Sequence, residues 1–182
     1  NHRQKSMLAT RMEKHFGSLK GKTIAVWGLA FKPRTDDMRE APAIVLIERL
    51  LAAGAKVQAF DPAAMHVAKR LFGSSVTLTP RSYGALAGAD ALAVVTEWNE
   101  FREPDFVKMR KLMKTPVVFD GRNIYTRELM RANGFTYYSI GRSTRRHTRD
   151  GGRGLHRQPR GQGPGQGGPA CRGVRRPVGR AP

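Results

Sequence analysis

Short apolar runs alternate along most of this chain with longer amphipathic stretches, and glycine, proline or asparagine marks most of the boundaries. Residues 24–27 and 91–95 are continuous apolar runs, the pattern of parallel strands buried on both faces. Residues 56–60 alternate with period two, and 76–78, 117–119 and 135–140 supply three further strand patterns. Helical patterns fall between them, over 42–53, 63–71, about 103–113 and 126–132, with a short helical piece at 82–87. Gly54, Gly73 and Asn133-Gly134 stand where helices stop. This alternation predicts an α/β fold: a Rossmann-like open parallel sheet with right-handed crossovers and helices on both faces.

The two ends read differently. Residues 1–20 predict a charged helix, stopped by Gly21, whose apolar stripe includes Met7, Leu8, Met12 and Phe16. Either the chain's own domain covers that stripe, or a partner subunit or further domain does. After Gly141 the pattern ends, and 142–182 hold ten Gly, five Pro and no Lys. Such a segment buries too little surface to offset its chain entropy, so a disordered tail is expected over 143–182. Its Arg and Gly suit single-stranded nucleic acid by charge, but no aromatics are interleaved for base stacking. Translation in a wrong reading frame fits the abrupt change of composition better. The expected organisation is a helix end at 1–20, a domain at 21–142 and the tail.

Charge qualifies this picture only after it is divided along the chain. The formal net charge is +19, but eleven of the 33 Lys and Arg fall in 142–182, against one of the 14 acidic residues. The rest remains basic, which suits an anionic ligand. Cys171 is the only cysteine, so neither an intrachain disulfide nor a cysteine metal cluster is available. With no run of about 18 apolar residues and no signal-peptide pattern, a cytoplasmic location without membrane contact is expected. The chain begins at Asn rather than Met, so it is read as a fragment.

Candidate chemistry gathers at the ends of strands. The loop after residue 27 carries Lys32, Arg34 and Arg39 from a strand end, where open α/β sheets hold ligands. It lacks the second and third glycines of a dinucleotide fingerprint, so side chains must do the holding. Lys32 offers a mobile ammonium and Arg39 a fork suited to phosphate. Alternatively, this is a solvated loop whose cations pair with Asp36, Asp37 and Glu40. Asp61 sits where a ribose-binding acid would stand, although Pro62 favours a plain strand-ending turn. In Asp120-Gly121-Arg122-Asn123, Gly121 permits an unusual backbone turn, and Arg122 can reach the same cleft as Lys32. Trp98 either walls that cleft or caps the core, the core being favoured. None of His2, His15, His66, His147 and His156 follows a core strand, and Cys171 lies in the tail without a group to activate it. The residues alone therefore describe an anion-binding α/β domain with no catalytic centre and no metal site.

Residues 21–33 and 35–42, with Phe60-Asp61-Pro62, Thr96-Glu97-Trp98, Phe101, Asp120-Gly121-Arg122-Asn123 and Tyr125, recur in order in one family. Over residues 1–142 the chain resembles the carboxy-terminal UDP-binding domain of the UDP-glucose/GDP-mannose dehydrogenase family, in its bacterial UDP-glucose 6-dehydrogenase branch. The resemblance implies oxidation of UDP-glucose to UDP-glucuronate in two steps with NAD. It implies that Phe31, Lys32 and Arg122 contact the UDP-sugar and that Arg39 contacts NAD. It also implies that residues 1–20 end a long central helix that builds a homo-oligomer. The family's NAD domain and catalytic cysteine would precede residue 1, leaving the chain inactive alone, and Cys171 does not match that nucleophile. A UDP-N-acetylmannosamine or GDP-mannose dehydrogenase fragment, or a non-catalytic nucleotide- or RNA-binding module, remains the alternative.

Overall fold

The structure, a computed structural model, describes residues 2–140, with side chains from Met7 onward. The expected tail, with Cys171, His147 and His156, lies outside the described residues. The strands are β1 (Thr23–Trp27), β2 (Lys56–Phe60), β3 (Val76–Leu78), β4 (Ala91–Val94), β5 (Val117–Asp120) and β6 (Thr136–Ser139). The helices are α1 (His2–Phe16), α2 (Pro42–Ala52), α3 (Met65–Phe72), α4 (Phe106–Leu112) and α5 (Arg127–Ala132), with 3-10 turns at Ser82–Leu86 and Asn99–Phe101. All six strands pair in parallel in the order β3-β2-β1-β4-β5-β6. That order is the doubly wound arrangement the alternation predicts, and it reverses direction between β1 and β4.

Alternation along the strands divides the core in two. Ile24 and Val26, level with Val57 and Ala59 on β2 and with Ala91 and Ala93 on β4, face α1, α2 and α3. Ala25, Trp27, Leu92, Val94 and Val118 face the Ser82–Leu86 turn, α4 and α5 on the other side. Every residue of β4 and β5 is buried, so neither strand has a solvent-facing side. Each large aliphatic side chain removed from water contributes about 1.5–3 kcal/mol.

The centre of the α1 apolar stripe is covered by the chain itself, while Met7 and Phe16 stay half-buried. Leu8, Ala9 and Met12 are buried in the core shared with α2 and β5. Glu13 accepts from Arg49 Nε at 3.0 Å and Nη2 at 2.7 Å, and His15 Nδ1 lies 2.8 Å from Tyr138 Oη. The helix ends earlier than expected. Gly17, at φ 73°, donates its N–H to Glu13 O at 2.8 Å, so it is Gly17 rather than Gly21 that stops α1.

Two constraints fix the carboxyl edge of the sheet. Gly28 has φ +89°, and a Cβ there would stand 2.5 Å from Thr96 Cβ and 2.6 Å from Thr96 N. The chain leaving β1 thus presses directly on the chain leaving β4, and Thr96 Oγ1 donates to Ala30 O at 2.6 Å. The second constraint is Asp61, fully buried at the end of β2. Its Oδ2 accepts from Leu29 N (2.7 Å), Ala30 N (3.0 Å) and Trp98 Nε1 (3.1 Å), and its Oδ1 accepts from Ala63 N and Ala64 N (both 2.8 Å). A carboxylate with five donors around it holds three loops and has no capacity left for a ribose.

Gly28→Ala is expected to destabilise the chain by roughly 3 kcal/mol, because it adds a steric clash to an unfavourable φ. Gly88→Ala, at φ +68° with nothing within 4 Å of the new Cβ, should cost only about 1 kcal/mol. Urea unfolding of the two variants checks the difference. Asp61→Asn turns an amide donor toward N–H groups and should cost about 2–4 kcal/mol in the same measurement.

Candidate functional site

The loops after β1, β4 and β5 leave the same edge of the sheet. Between the first two lies a cavity of ≈ 650 Å³ whose walls include Pro33, Arg34, Pro62, Trp98, Glu97 and Arg102. A second, of ≈ 390 Å³, lies between the loops after β4 and β5 and is lined by Glu97, Arg102, Arg122, Asn123 and Ile140 among others. Glu97 and Arg102 line both cavities. Trp98 serves both of the roles weighed for it, packing half-buried against the core on the α4 and α5 side of the sheet while walling the larger cavity.

The β5 loop is shaped from inside. Asp120 is fully buried. Its Oδ1 accepts from Arg122 N at 2.8 Å, and its Oδ2 accepts from Tyr125 N at 3.1 Å and Tyr137 Oη at 2.8 Å. Gly121 is not among the residues with positive φ. It is needed for space, since a Cβ there would stand 2.9 Å from Leu8 Cδ1 and 3.0 Å from Val94 O. The left-handed residue is Asn123, at φ 57°. Tyr125 donates to Phe101 O, and burial pushes its phenol pKa up, so it stays a donor. Arg122 Nε and Nη2 grip both oxygens of Glu97, the Nη2 contact being 2.7 Å. This hydrogen bonding lowers the Glu97 pKa and raises that of Arg122.

The β1 loop separates its cations. Phe31 is 44 % exposed, and Lys32 Nζ lies 5.9 Å from its ring centre, at the cation–π distance. Pro33 and Arg34, the next two residues, wall the larger cavity, with Arg34 in the left-handed region at φ 65°. Arg39 is directed elsewhere. It lines a groove of ≈ 670 Å³ with Thr35, Asp37, Ile44 of α2 and Val67 and Leu71 of α3. Its guanidinium, 89 % exposed, donates to Asp37 through Nε (3.0 Å) and Nη2 (2.8 Å), which holds the Asp37 pKa down at about 2. Asp36 pairs with His66 at 3.2 Å. Arg34 and Arg39 therefore line different spaces, Lys32 lines neither of them while its charge still reaches Asp37, and the expected pairing with Asp37 is present for Arg39.

Two residues had no role in the sequence reading. Glu97 was visible only as part of a motif, and Arg102 not at all. Their signal was position, since both follow the one strand that neighbours both β1 and β5 at the carboxyl edge. Glu100 also lines the larger cavity, where burial and then the charge of Asp61 raise its pKa. Among the described residues no group of three or more His, Cys, Asp or Glu is placed to hold a metal ion. No described helix is long and apolar enough to cross a membrane.

Comparison with known proteins agrees with this architecture. Residues 25–127 match the UDP-glucose/GDP-mannose dehydrogenase family, UDP binding domain. The chain is 47% identical over 153 residues to a UDP-glucose 6-dehydrogenase of Pseudomonas aeruginosa, covering 81% of the chain and 34% of that protein. It is 42% identical over 142 residues to UDP-glucose 6-dehydrogenase YwqF of Bacillus subtilis, covering 78% of the chain and 32% of the relative. The chain thus spans about a third of the length of these relatives. Among solved structures, a UDP-glucose dehydrogenase from Pyrobaculum islandicum superposes with a TM-score of 0.65 at 30% identity, over 76% of this chain and 29% of that one. With its six-stranded parallel sheet and a matching stretch that runs from β1 into α5, this chain belongs to the UDP-glucose/GDP-mannose dehydrogenase family and carries that family's UDP binding domain.

Proposed function

We propose that the chain is the nucleotide-sugar half of a cytoplasmic, NAD-dependent UDP-glucose 6-dehydrogenase, which oxidises UDP-glucose to UDP-glucuronate in two steps. Phe31, Lys32 and Arg122 contact the UDP-sugar, and α1 ends a longer helix through which the enzyme forms a homo-oligomer. The supporting observation is the pair of adjoining cavities at the carboxyl edge, with Arg122 in one and the residues just after Lys32 walling the other. A diphosphate needs cations from more than one direction, and charge-assisted hydrogen bonds to it are roughly twice as strong as neutral ones. Lys32 on a mobile stem and Arg122 on a fixed one supply two such directions.

Within that enzyme the chain positions rather than reacts. Pro33, Pro62 and Trp98 present rigid, largely apolar walls that exclude water beside the phosphates. NAD, when bound, accepts the hydride released as the sugar alcohol is oxidised. Arg39 suits one contact to it, because its fork is exposed on a separate groove and only one edge is held by Asp37. The chain does not provide a whole dinucleotide site, since Leu29 and Ala30 follow Gly28 where a pyrophosphate loop needs backbone approach. No catalytic residue is assigned, and Cys171 is not the nucleophile.

Calorimetry on the purified chain tests this reading. UDP is expected to bind, and Lys32→Ala and Arg122→Ala should each weaken it by about 1–3 kcal/mol. Unchanged affinity in both variants would remove the assignment. NADH formation from UDP-glucose by the chain alone is expected to be undetectable; a robust rate would show that the catalytic groups are present after all.

A further inference from the structure

Glu97 is an acid set beside a site meant for an anion. Charge alone makes it a liability there, because it repels the ligand that Arg122 would attract. Its geometry suggests a different use. The carboxylate engages the side of the guanidinium formed by Nε and Nη2. A guanidinium has five N–H groups in a fixed fork, so one side can be held while the end-on pair remains available. Among the described residues, no hydrogen bond or ion pair is made by Arg122 Nη1. The backbone N–H of Arg122 is tied to Asp120, and Gly121 is wedged between Leu8 and Val94 O. Stem and fork are therefore both fixed, at the mouth of the ≈ 390 Å³ cavity. Arg102 lines the same cavity beyond Glu97, so the acid stands with two cations and the local balance stays positive.

We propose that Glu97 is a positioning residue for phosphate binding: it clamps one side of Arg122 so that the free end of the fork faces the diphosphate. This rests on the UDP reading above and deepens it. An arginine held in one orientation loses less side-chain freedom when it meets its ligand, which is the general advantage of a site organised in advance. The clamp outweighs the repulsion because a bidentate contact depends steeply on geometry, while a charge repulsion near the surface is reduced by water and salt.

The sign of one substitution separates the two effects. Glu97→Gln removes the repelling charge and breaks the clamp. The expected result is weaker UDP binding, by about fivefold, the range seen for coupled neighbouring groups, with uridine affinity unchanged. Glu97→Asp keeps the charge but shortens the reach, and it should weaken UDP as well. In Arg122→Ala the clamp has nothing to position, so adding Glu97→Gln should cause no further loss. If Arg122→Ala weakens UDP while Glu97→Gln and Glu97→Asp bind it as well as the parent chain or better, the positioning role is overturned and the UDP reading stands. If Arg122→Ala has no effect, this role falls, and the UDP reading falls with it when Lys32→Ala has none either.

Discussion

The carboxyl edge of this domain depends on one buried carboxylate. Asp61 is fully removed from solvent, and it accepts hydrogen bonds from Leu29, Ala30, Ala63, Ala64 and Trp98. Taking such a charge out of water costs several kcal/mol even after relaxation. Five charge-assisted contacts offset that cost, and they do so by drawing the loops after β1, β2 and β4 onto one point. The consequence is mechanical. Residues that must meet a ligand sit on loops, yet the first residues of those loops have the rigidity of the sheet.

Asp120 repeats the device three strands along the sheet, with its carboxylate turned inward onto Arg122 N, Tyr125 N and Tyr137 Oη. Acids at strand ends are thus used on backbone and buried donors, while Lys32, Arg34, Arg102 and Arg122 lie on or line the outer surface of the same edge. Gly28 and Gly121 serve this division by letting main chains approach where a Cβ would collide. The two arginine pairs differ in kind. Arg39 with Asp37 is an exposed pair of the sort that contributes little to stability, so its fork is readily turned to a ligand. Arg122 with Glu97 is more buried and fixed at both stem and fork.

Most of the fold was legible because parallel strands buried on both faces leave a strong apolar signature, as in residues 91–95 and 117–119. Helix stops at Gly54 and Gly73 were legible for the same local reason, a residue that tolerates a left-handed turn. What local pattern cannot show is which elements meet. Gly17 competed with Gly21 as the stop of α1, and only the capping bond to Glu13 decides between them. The roles of Asp61 and Gly121 depend on Trp98 and Leu8, 37 residues after one and 113 before the other in a sequence that gives no hint of contact. The site was visible as cations after strands, yet the division of Arg34 from Arg39 and the pairing of Glu97 with Arg122 required the sheet order to be known. The family resemblance rested on ordered motifs, and those motifs are the strand ends that the buried acids hold in place.

The central claim is that Lys32 and Arg122, carried by loops from β1 and β5, share one diphosphate across the space lined by Glu97 and Arg102. A crystal structure of the chain with UDP measures this directly. The Lys32 ammonium and the Arg122 guanidinium are expected within hydrogen-bonding distance of the same diphosphate, with Glu97 still holding the Nε side of the arginine. A diphosphate bound by only one of the two cations, or bound outside both cavities, would contradict it.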